Sequence, residues 1–395
     1  MQTVSFILIY TTLAVLFLSF VLLRKNAGAL SYHNRWVWGV VISCIIVFLA
    51  IQTTGLMEQS LNMPPQKPGL LLRTAQETQS RMVGKLDLLD LPDEDKAVLA
   101  TLTVNYRKAM TRELRNRFSV TGVTHLLAVS GFHVGIVCAF INYLLTFFSM
   151  KRKTVRWIKY LITMLCVWAF TFISGLATPA VRAAFMITIY MTGRILGRNT
   201  DKYNTFAGTA FCMLVYNPFY LFDVGFQLSF TAVFFILYLQ PRFSGLLEIR
   251  NPLIATPFDI LTVTIAAQIG VSFLCFYYFG MSSLVFLFTN LALSLLANLL
   301  IPLTLIWMIV PQWIPGIEVV RWAVETITRW FMWIVERFSF IPGATLSIRF
   351  DLFMLITSYL FLAFLLLYFR SRRYWMLVAS LVTLLILLCW QLISV

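Results

Sequence analysis

Apolar runs long enough to cross a lipid bilayer recur along this sequence, and they limit the fold more than any other feature. A membrane-spanning helix needs about 20 predominantly apolar residues. The chain has 395 residues, of which 60% are hydrophobic and 12% are charged. Backbone polar groups in hydrocarbon must pair within their own segment, so such runs form helices. The sequence therefore predicts an all-α fold: a polytopic membrane protein of about 10–11 transmembrane or re-entrant helices with additional amphipathic interfacial helices.

Proline, glycine and charged residues divide the apolar runs into five regions. Two N-terminal transmembrane helices are expected in residues 1–56, at 4–23 and 36–56, followed by an extracytoplasmic amphipathic helical segment in 57–120. The transmembrane core is expected in 121–311, an interfacial amphipathic segment in 312–349, and two C-terminal transmembrane helices in 350–395. Loops rich in Lys and Arg face the cytoplasm. This rule predicts that both chain termini are extracytoplasmic.

Three local patterns give finer expectations. Residues 92–95 combine a proline with three acids, which is typical of a helix start, and the helix is expected to run on towards Phe118. Residues 281–310 are apolar but too many for one straight span, and Asn290, Asn298 and Pro302 interrupt them, so we expect a re-entrant pair of half-helices. Residues 319–338 have the pattern of an amphipathic helix with tryptophans suited to the membrane interface.

The positive charge of the chain has two explanations that the sequence leaves open. The formal net charge is +15. Cytoplasmic loops of membrane proteins carry excess Lys and Arg that set orientation and attract anionic lipids. Lys and Arg near phosphates also dominate affinity for nucleic acids. The cysteines show no metal-binding or redox spacing, and each lies in an apolar run, which is typical of small buried residues. They are Cys44, Cys138, Cys166, Cys212, Cys275 and Cys389.

The stretch 121–135 places polar groups inside an otherwise apolar run. It contains His125, the pair Ser130-Gly131, and His133. Polar and ionisable side chains at membrane depth are costly and are functional candidates by default. Gly131 and Gly135 are expected to interrupt the helix on either side of His133, and a broken helix is tolerated in a bilayer only where protein or water satisfies the freed backbone. The pattern predicts a discontinuous segment that lines a polar passage.

These residues have alternative roles. The two histidines could contact phosphates or bases along the passage, or could donate hydrogen bonds that hold the broken segment; their spacing without nearby acids or thiols argues against a metal site. Ser130 lies outside any Gly-x-Ser-x-Gly elbow, so we expect no catalytic serine. Backbone amides freed at the break could instead face a phosphate. The chain also has no Gly-x-x-x-x-Gly-Lys-Ser/Thr loop for a nucleotide. We expect neither a cofactor nor an enzymatic activity.

Further polar residues in later apolar runs are candidates for the same passage. Arg182 is either a cation that points into the path or an arginine that reaches the outer interface by snorkelling. Asp223 and Gln227 are expected one turn apart on one helix face, where either could close a hydrogen-bond network with Arg182 or the histidines. Weaker candidates of this kind are Gln268, Asn290 and Asn298.

Several of these motifs resemble the ComEC-type competence proteins, which take single-stranded DNA through the cytoplasmic membrane. The signature is His-Leu-Leu-Ala-Val-Ser-Gly-Phe-His-Val-Gly at 125–135, and the other matching motifs follow in the family's order over roughly residues 97–312. They are the segments 110–118, 174–175 with 180–186, 217–218, 223–230, and 279–280 with 289–291. The resemblance implies a channel for inward translocation of single-stranded DNA during natural transformation. It implies a path lined by His125, Ser130, Gly131, His133, Arg182, Asp223, Gln227 and Asn290.

The resemblance also implies partners and a location. The expected location is the cytoplasmic (inner) membrane, and the expected partners are single-stranded DNA, membrane lipids, an external DNA receptor, and a cytosolic motor or single-strand-binding proteins. A separate nuclease and a homodimer are compatible with it. The family's oligonucleotide-binding-like and metallo-β-lactamase-like domains have no counterpart in the motifs of this sequence, so we expect a form that lacks both.

Two other functions remain open from the sequence. The first is a transporter or exporter of another anionic or amphipathic solute built on the same module. The second, less favoured, is an intramembrane hydrolase that uses Ser130 and His133.

Overall fold

The computed structural model describes residues 69–147, 153–197, 201–247, 249 and 251–394, and almost all of them are helical. The two spans predicted at 4–23 and 36–56 lie outside the described residues, and so does the N-terminus. The first seven helices are α1 (Leu70–Val83), α2 (Asp93–Val104), α3 (Arg112–Val120), α4 (Gly131–Leu144), α5 (Lys153–Ile173), α6 (Thr178–Ile195) and α7 (Lys202–Tyr216). The next six are α8 (Val224–Ser244), α9 (Pro252–Phe279), α10 (Phe286–Ile309), α11 (Ile317–Ser339), α12 (Leu352–Ser371) and α13 (Tyr374–Ser394).

The lengths and composition of these helices confirm the predicted fold class. Within the described residues, six helices are long and apolar enough to cross a membrane, and α4 is a shorter apolar helix. The six are Thr154–Ile173, Val224–Ser244, Ile254–Phe279, Phe286–Ile309, Leu352–Ser371 and Tyr374–Leu392. Short 3₁₀ turns and two three-residue strands complete the described part. The protein is an all-α polytopic membrane protein.

The chain divides into two compact units. One unit is Met1–Lys67 with Ala210–Asp223, and the other is Pro68–Thr209 with Val224–Val395. The described part of the first unit is the end of α7 and the 3₁₀ turn Pro218–Phe222, where the Asn217 side chain accepts a hydrogen bond from the Phe219 amide at 2.9 Å. All other elements described below belong to the second unit.

The core of the second unit is formed where α2, α3, α10 and α11 meet. Its side chains include Leu99 of α2, Phe118 of α3, Leu300 of α10 and Phe331 of α11, all of them buried. The rings of Phe118 and Phe331 lie 6.3 Å apart. α11 has the expected amphipathic pattern, because one face is buried in this core while tryptophans on the opposite face are exposed. The buried residues are Ile317, Val324, Thr328, Phe331 and Val335, and the exposed tryptophans are Trp322, Trp330 and Trp333.

The helix that begins after Pro92 is shorter than the sequence predicted. α2 starts at Asp93 with three acids in its first turn, as expected, but it ends at Val104 because Asn105 takes a left-handed conformation with φ 59°. Asparagine adopts this conformation more readily than most residues, since its short polar side chain bonds locally. α3 then begins at Arg112, where the Thr111 side chain caps the helix by accepting a hydrogen bond from the Leu114 amide at 3.2 Å. The expectation of one helix running on to Phe118 was wrong.

The expectation of two half-helices in residues 281–310 was also wrong, because α10 is a single continuous helix with Pro302 inside it. A helix satisfies its own backbone in apolar surroundings, and its polar side chains can pair with neighbouring helices without breaking it. Both ends of α10 nevertheless contact the segment that precedes α4. Near its start, the Thr289 hydroxyl donates to the Thr121 carbonyl at 2.7 Å. Near its end, the Lys85 ammonium donates to the Met308 carbonyl at 2.5 Å.

A small antiparallel sheet joins the connections on either side of the α10–α11 pair. β1 (Met281–Ser283) follows α9, β2 (Thr345–Ser347) follows α11, and Ser282 pairs with Leu346. The sheet continues as a hydrogen bond from the Leu284 amide to the Ala344 carbonyl at 2.7 Å. It therefore fixes the point at which α10 begins.

The C-terminal helices α12 and α13 pack against each other. The Trp390 indole donates to the Asp351 carboxylate at 2.9 Å, and the Tyr359 hydroxyl connects α12 to α9 by donating to the Gly270 carbonyl at 2.7 Å. α13 is otherwise exposed along much of its length.

Candidate functional site: an interrupted helix before Gly131

The predicted interruption lies between a 3₁₀ turn and α4. The turn spans Thr124–Leu127, Ala128 and Ser130 are extended, and α4 begins at Gly131. The discontinuity is therefore confirmed. Its position differs from the expectation, because Gly135 lies inside α4 and the chain is interrupted only on the N-terminal side of His133.

Ser130 and His133 hold the start of α4. The Ser130 amide donates to His133 Nδ1 at 3.2 Å, and the Ser130 hydroxyl lies 3.1 Å from the same nitrogen. This is a capping-box arrangement with a histidine in the place usually taken by Glu or Gln. The His133 ring is fully buried. Of the two roles left open for His133, this geometry corresponds to the structural one.

The same interruption leaves a small group of residues accessible. Thr124 and His125 in the 3₁₀ turn and Gly131 at the start of α4 are exposed, and Ser130 is half-buried. A Cβ atom at Gly131 would lie 3.6 Å from the Ala183 side chain on α6, which is an ordinary contact. Gly131 itself is exposed and places no side chain at the start of α4. Thr124 was not predicted from the sequence, although it is a polar neighbour of His125.

The chain just before the turn is fixed against β1 and α10. Gly122 has a positive φ of 77°, and a Cβ atom added to it would lie 2.7 Å from the Cβ atoms of Phe286 and Ser283. The Ser283 hydroxyl donates to the Val120 carbonyl at 2.8 Å. With the bond from Thr289 to Thr121, these contacts hold the turn in one position.

Asn290 connects the exposed His125 to helices α9 and α10. The side chains of His125 and Asn290 interact. The Asn290 amide donates to the Thr264 hydroxyl on α9 at 2.7 Å, and the Ser294 hydroxyl donates to the Asn290 carbonyl oxygen at 3.1 Å. The sequence did not single out Thr264 or Ser294. The four-residue spacing of Asn290 and Ser294 was a visible signal, whereas the pairing with α9 depends on packing.

Arg182 is buried in α6, next to Ala183. It is 4% exposed, and its Nη2 donates to the Gly225 carbonyl at the start of α8, at 3.1 Å. This burial does not match an arginine that reaches the interface by snorkelling. Arg182 is therefore a buried cation, and the side chain of the next residue, Ala183, faces Gly131.

Three further predicted residues are Asp223, Gln227 and Gln268. Gln227 on α8 accepts a hydrogen bond from the Tyr278 hydroxyl on α9 at 2.6 Å. Asp223 is exposed and belongs to the other unit of the fold; it has an extended backbone and ends the turn before α8 begins at Val224. The expectation that Asp223 and Gln227 share one helix face was wrong, because the helix starts after Asp223. The weaker candidate Gln268 donates to Ser282 of β1 at 3.1 Å.

A separate cavity of about 370 Å³ lies between α2, α3 and α11. Charged side chains line it: Glu94, Asp95, Arg117, Arg329 and Glu336. Partial burial raises the pKa of the Asp95 carboxyl above its usual value, and the neighbouring carboxylates of Glu94 and Glu336 raise it further, while Arg329 opposes the change. In the parts of the chain that the structure describes, no group of three or more His, Cys, Asp or Glu side chains is arranged to hold a metal ion.

Taken together, the helices and the interruption define a polytopic α-helical membrane protein with a helix broken at the edge of its core. A sequence profile of the competence protein family matches residues 102–372, which includes the interruption and all the helices from α3 to α12. The chain belongs to this family.

Two relatives are similar to parts of the chain. ComE operon protein 3 of Bacillus subtilis (strain 168) is 28% identical over 200 residues, which cover 49% of this chain and 24% of that protein. An uncharacterized protein of Aquifex aeolicus (strain VF5) is 27% identical over 148 residues, which cover 37% of this chain and 34% of that protein. The chain thus spans about a quarter to a third of the length of these relatives. No solved structure gives a significant match.

Proposed function

We propose that this protein conducts single-stranded DNA inward through the cytoplasmic membrane during natural transformation. The observation that carries the proposal is the interrupted helix before Gly131, an exposed polar break that lies inside the segment matched by the competence family. Irregular backbone at membrane depth persists where it is buried in protein or lines a water-filled cavity. Exposed Thr124, His125 and Gly131 favour the second situation.

The start of α4 has the chemistry to accept a phosphate. The first amides of a helix have no partner within the helix, and the helix dipole favours negative charge at that end. Gly131 adds no side chain between these amides and an incoming group, while Ser130 and His133 keep the helix start in place. A strand moving past this point would exchange one phosphate for the next on the same amides.

Arg182 adds a buried positive charge to α6, the helix whose Ala183 side chain faces Gly131. Charges interact more strongly in a low-dielectric interior than in water, so a buried guanidinium beside Ala183 lowers the energy of a polyanion near Gly131. Its bond to the Gly225 carbonyl fixes its position. In this account Arg182 acts at a distance, through its charge, and needs no direct contact with DNA.

The proposed protein is a conduit and not an enzyme. No nucleotide-binding loop is present in the sequence, so the energy for movement comes from a cytosolic motor or from proteins that capture the emerging strand. An external receptor delivers the DNA, and a separate nuclease or an already single-stranded substrate provides the form that enters. A homodimer is compatible with this arrangement.

The experiment that tests the proposal is deletion of the gene followed by transformation with labelled DNA. Surface-bound label and nuclease-resistant internal label are scored separately. We expect binding to persist and internal label to be lost, with recovery when the gene is restored. Normal internalisation in the deletion strain would remove the DNA-uptake proposal and leave transport of another anionic or amphipathic solute.

Two variants separate a conduit from a hydrolase. Ser130→Ala removes the hydroxyl but keeps the amide that donates to His133, so uptake is expected to persist. Arg182→Gln removes the buried charge and is expected to reduce internal label at least about tenfold, with Arg182→Lys retaining more uptake than Arg182→Gln. Loss of uptake in Ser130→Ala with normal protein levels would favour the hydrolase.

The proposed orientation places the segment before α4 on the extracytoplasmic side. The start of α10 contacts this segment through Thr289, so we expect the start of α10 to be accessible from the same side. A membrane-impermeant maleimide should label Leu284→Cys in intact cells, and should label Arg372→Cys only after permeabilisation. Labelling of Arg372→Cys but not of Leu284→Cys in intact cells would contradict the orientation.

A further inference from the structure

Four exposed cations lie just before the interrupted helix. They are Arg107 and Lys108 in the loop after α2, and Arg112 and Arg115 on α3. We propose that this group, the α3 basic patch, binds the phosphates of the strand before it enters the break. The inference rests on the proposed DNA-conducting function and adds a binding site to it.

The packing of α3 turns its basic side chains outwards. Leu114 and Phe118 are buried in the core, and the Thr111 cap fixes the first turn. Residues three apart on a helix are neighbours, so Arg112 and Arg115 lie side by side on the exposed face. The loop folds back towards them. Desolvation by neighbouring groups lowers the pKa of the Arg107 guanidinium, and the nearby charge of Arg115 lowers it further.

The charges of the patch are not balanced by acids. Among the described residues, none of the four cations forms an ion pair. Arg117, two residues beyond the patch on α3, shows the contrast, because it pairs with Glu113 at 2.7 Å and with Glu94 at 3.4 Å. Like charges held together without counter-ions repel each other, and a polyanion relieves that repulsion.

The patch is close to the break along the chain. From Arg115 to the end of α3 at Val120 the helix rises by about 7.5 Å. The next residues, Thr121 and Gly122, are fixed against α10, and the exposed Thr124 and His125 follow directly. Since α3 also contacts the 3₁₀ turn, a phosphate chain held on Arg112 and Arg115 has its next units near Thr124 and His125.

The surroundings of the patch favour a nucleic acid over a lipid surface. Helices that bind membranes combine basic residues with exposed Trp, Phe or Leu side chains. α11 has such side chains, with Trp322 and Trp330 exposed, whereas no large apolar side chain is exposed anywhere in residues 89–142. The other exposed residues on α3 are Glu113 and Asn116, and both are polar. Charge without an apolar anchor is the chemistry that recognises phosphates in water.

The test uses the full chain in nanodiscs of phosphatidylcholine and a fluorescein-labelled single-stranded oligonucleotide of random sequence. Anisotropy gives the dissociation constant at several salt concentrations for the parent protein and two triple variants. The patch variant is Arg107→Gln, Arg112→Gln and Arg115→Gln. The matched control removes the same charge from exposed residues at the α12–α13 turn, as Arg370→Gln, Arg372→Gln and Arg373→Gln.

We expect the patch variant to bind at least about tenfold more weakly than the control at 0.1 M salt. We also expect the slope of log affinity against log salt to fall by about 2, since each phosphate contact in a single strand contributes about 0.7. Arg112→Lys with Arg115→Lys should keep most of the affinity. Because all the substituted residues are exposed, the thermal midpoints of the variants should match that of the parent.

The outcomes separate this inference from the proposed function. If the parent protein takes up DNA in cells and binds the oligonucleotide, but the patch variant binds like the control, the patch inference is wrong and the function stands. If the patch variant keeps oligonucleotide affinity but retains less phosphatidylglycerol during purification, the patch binds lipid and the inference is also wrong. If deletion of the gene leaves uptake normal, the function itself fails.

Discussion

Helices α10 and α13 have nearly the same mean hydropathy and very different surroundings. In an 18-residue apolar window of each helix, 50% of the α10 window is buried inside the protein, whereas 6% of the α13 window is buried. α10 packs against α4, α9 and α11 and against the segment before α4, while α13 packs mainly against α12. Equal hydropathy therefore corresponds to a core helix in one case and a peripheral helix in the other.

The two helices are similarly apolar, but they differ in what their polar side chains bond. On α10, Thr289 donates to Thr121 and Asn290 to Thr264, so each bonds another element of the fold. On α13, the Thr383 hydroxyl bonds carbonyls of its own helix, and the bond from the Trp390 indole to Asp351 lies near the end of the helix. Because lipid is as apolar as leucine, apolar surface alone gives membrane helices little reason to associate, and hydrogen bonds and close packing decide which of them meet. Polar side chains that bond other elements along the helix therefore distinguish the core helix α10 from the peripheral helix α13.

The largest effect is expected where α10 meets the turn before α4. In Gly122→Ala the new methyl group would strain a positive φ and approach two Cβ atoms at 2.7 Å. We expect a loss of about 4 kcal/mol, from left-handed strain of about 1–2 and overpacking of about 1–3 kcal/mol. Thermal unfolding in nanodiscs measures it. The control is Gly343→Ala, which has a φ of 75° but nothing within 4 Å. Equal losses for both would show that the contact with α10 is unimportant.

Leucine truncation tests the same contrast in packing. Leu300 on α10 is 1% exposed and Leu385 on α13 is 61% exposed. Leu300→Ala should cost about 3 kcal/mol, because it leaves a cavity in the core. Leu385→Ala should cost less than about 0.5 kcal/mol, since the surrounding lipid fills the space. Similar shifts in the thermal midpoint for the two variants would show that α10 is not packed more tightly than α13.

Threonine replacement tests the hydrogen bonds. Thr289→Val keeps the shape of the side chain but leaves the buried Thr121 carbonyl without this donor, and we expect a loss of about 1–2 kcal/mol. Thr383→Val on α13 removes bonds only within one helix and should change the thermal midpoint by very little. A larger effect for Thr383→Val than for Thr289→Val is the result that this account does not allow.

The smallest change in stability is expected at the charged cavity between α2, α3 and α11. The pKa of Asp95 is raised in the folded protein, mainly by desolvation and then by Glu94, so folding is favoured by its protonation. Stability should therefore increase as the pH falls through the raised pKa towards the usual value near 3.8. Asp95→Asn should be slightly more stable than the parent at pH 7 and should lose this pH dependence. A parent protein that loses stability more steeply than Asp95→Asn over that range would contradict the sign.

Much of the fold could be predicted from hydropathy and from the proline, glycine and charged residues between the apolar runs. Span lengths and helix caps depend on residues that are close together in the sequence. The bounds of α11, α12 and α13 and the break before Gly131 follow from such patterns. The continuity of α10 as a single helix could not be predicted in this way. Its length and three interruptions were compatible with a re-entrant pair, and only the contacts of Thr289 and Lys85 show how a continuous helix reaches the same segment at both ends.

The sequence predicted the residues of the candidate site better than it predicted how these residues are arranged. The unusual polar content of 121–135 marked His125, Ser130 and His133, but the capping role of His133 depends on the local backbone. The partners Thr264 and Gly225 come from distant helices, and neither is chemically unusual in the sequence. Asp223 was misplaced because a 3₁₀ turn and a helix follow one another there, and hydrophobic periodicity does not separate the two.

The most direct test of the central claim is cross-linking of DNA that is stalled during uptake. A labelled DNA whose trailing end carries a bulky protein is given to cells that express Thr124→Cys coupled to a photoactivatable group, with Leu385→Cys as the matched control and the parent protein as the background. We predict that the imported strand is cross-linked at residue 124 and not at residue 385. Internalisation at the normal rate with equal, background-level cross-linking at both positions would contradict the claim that DNA passes the interrupted helix.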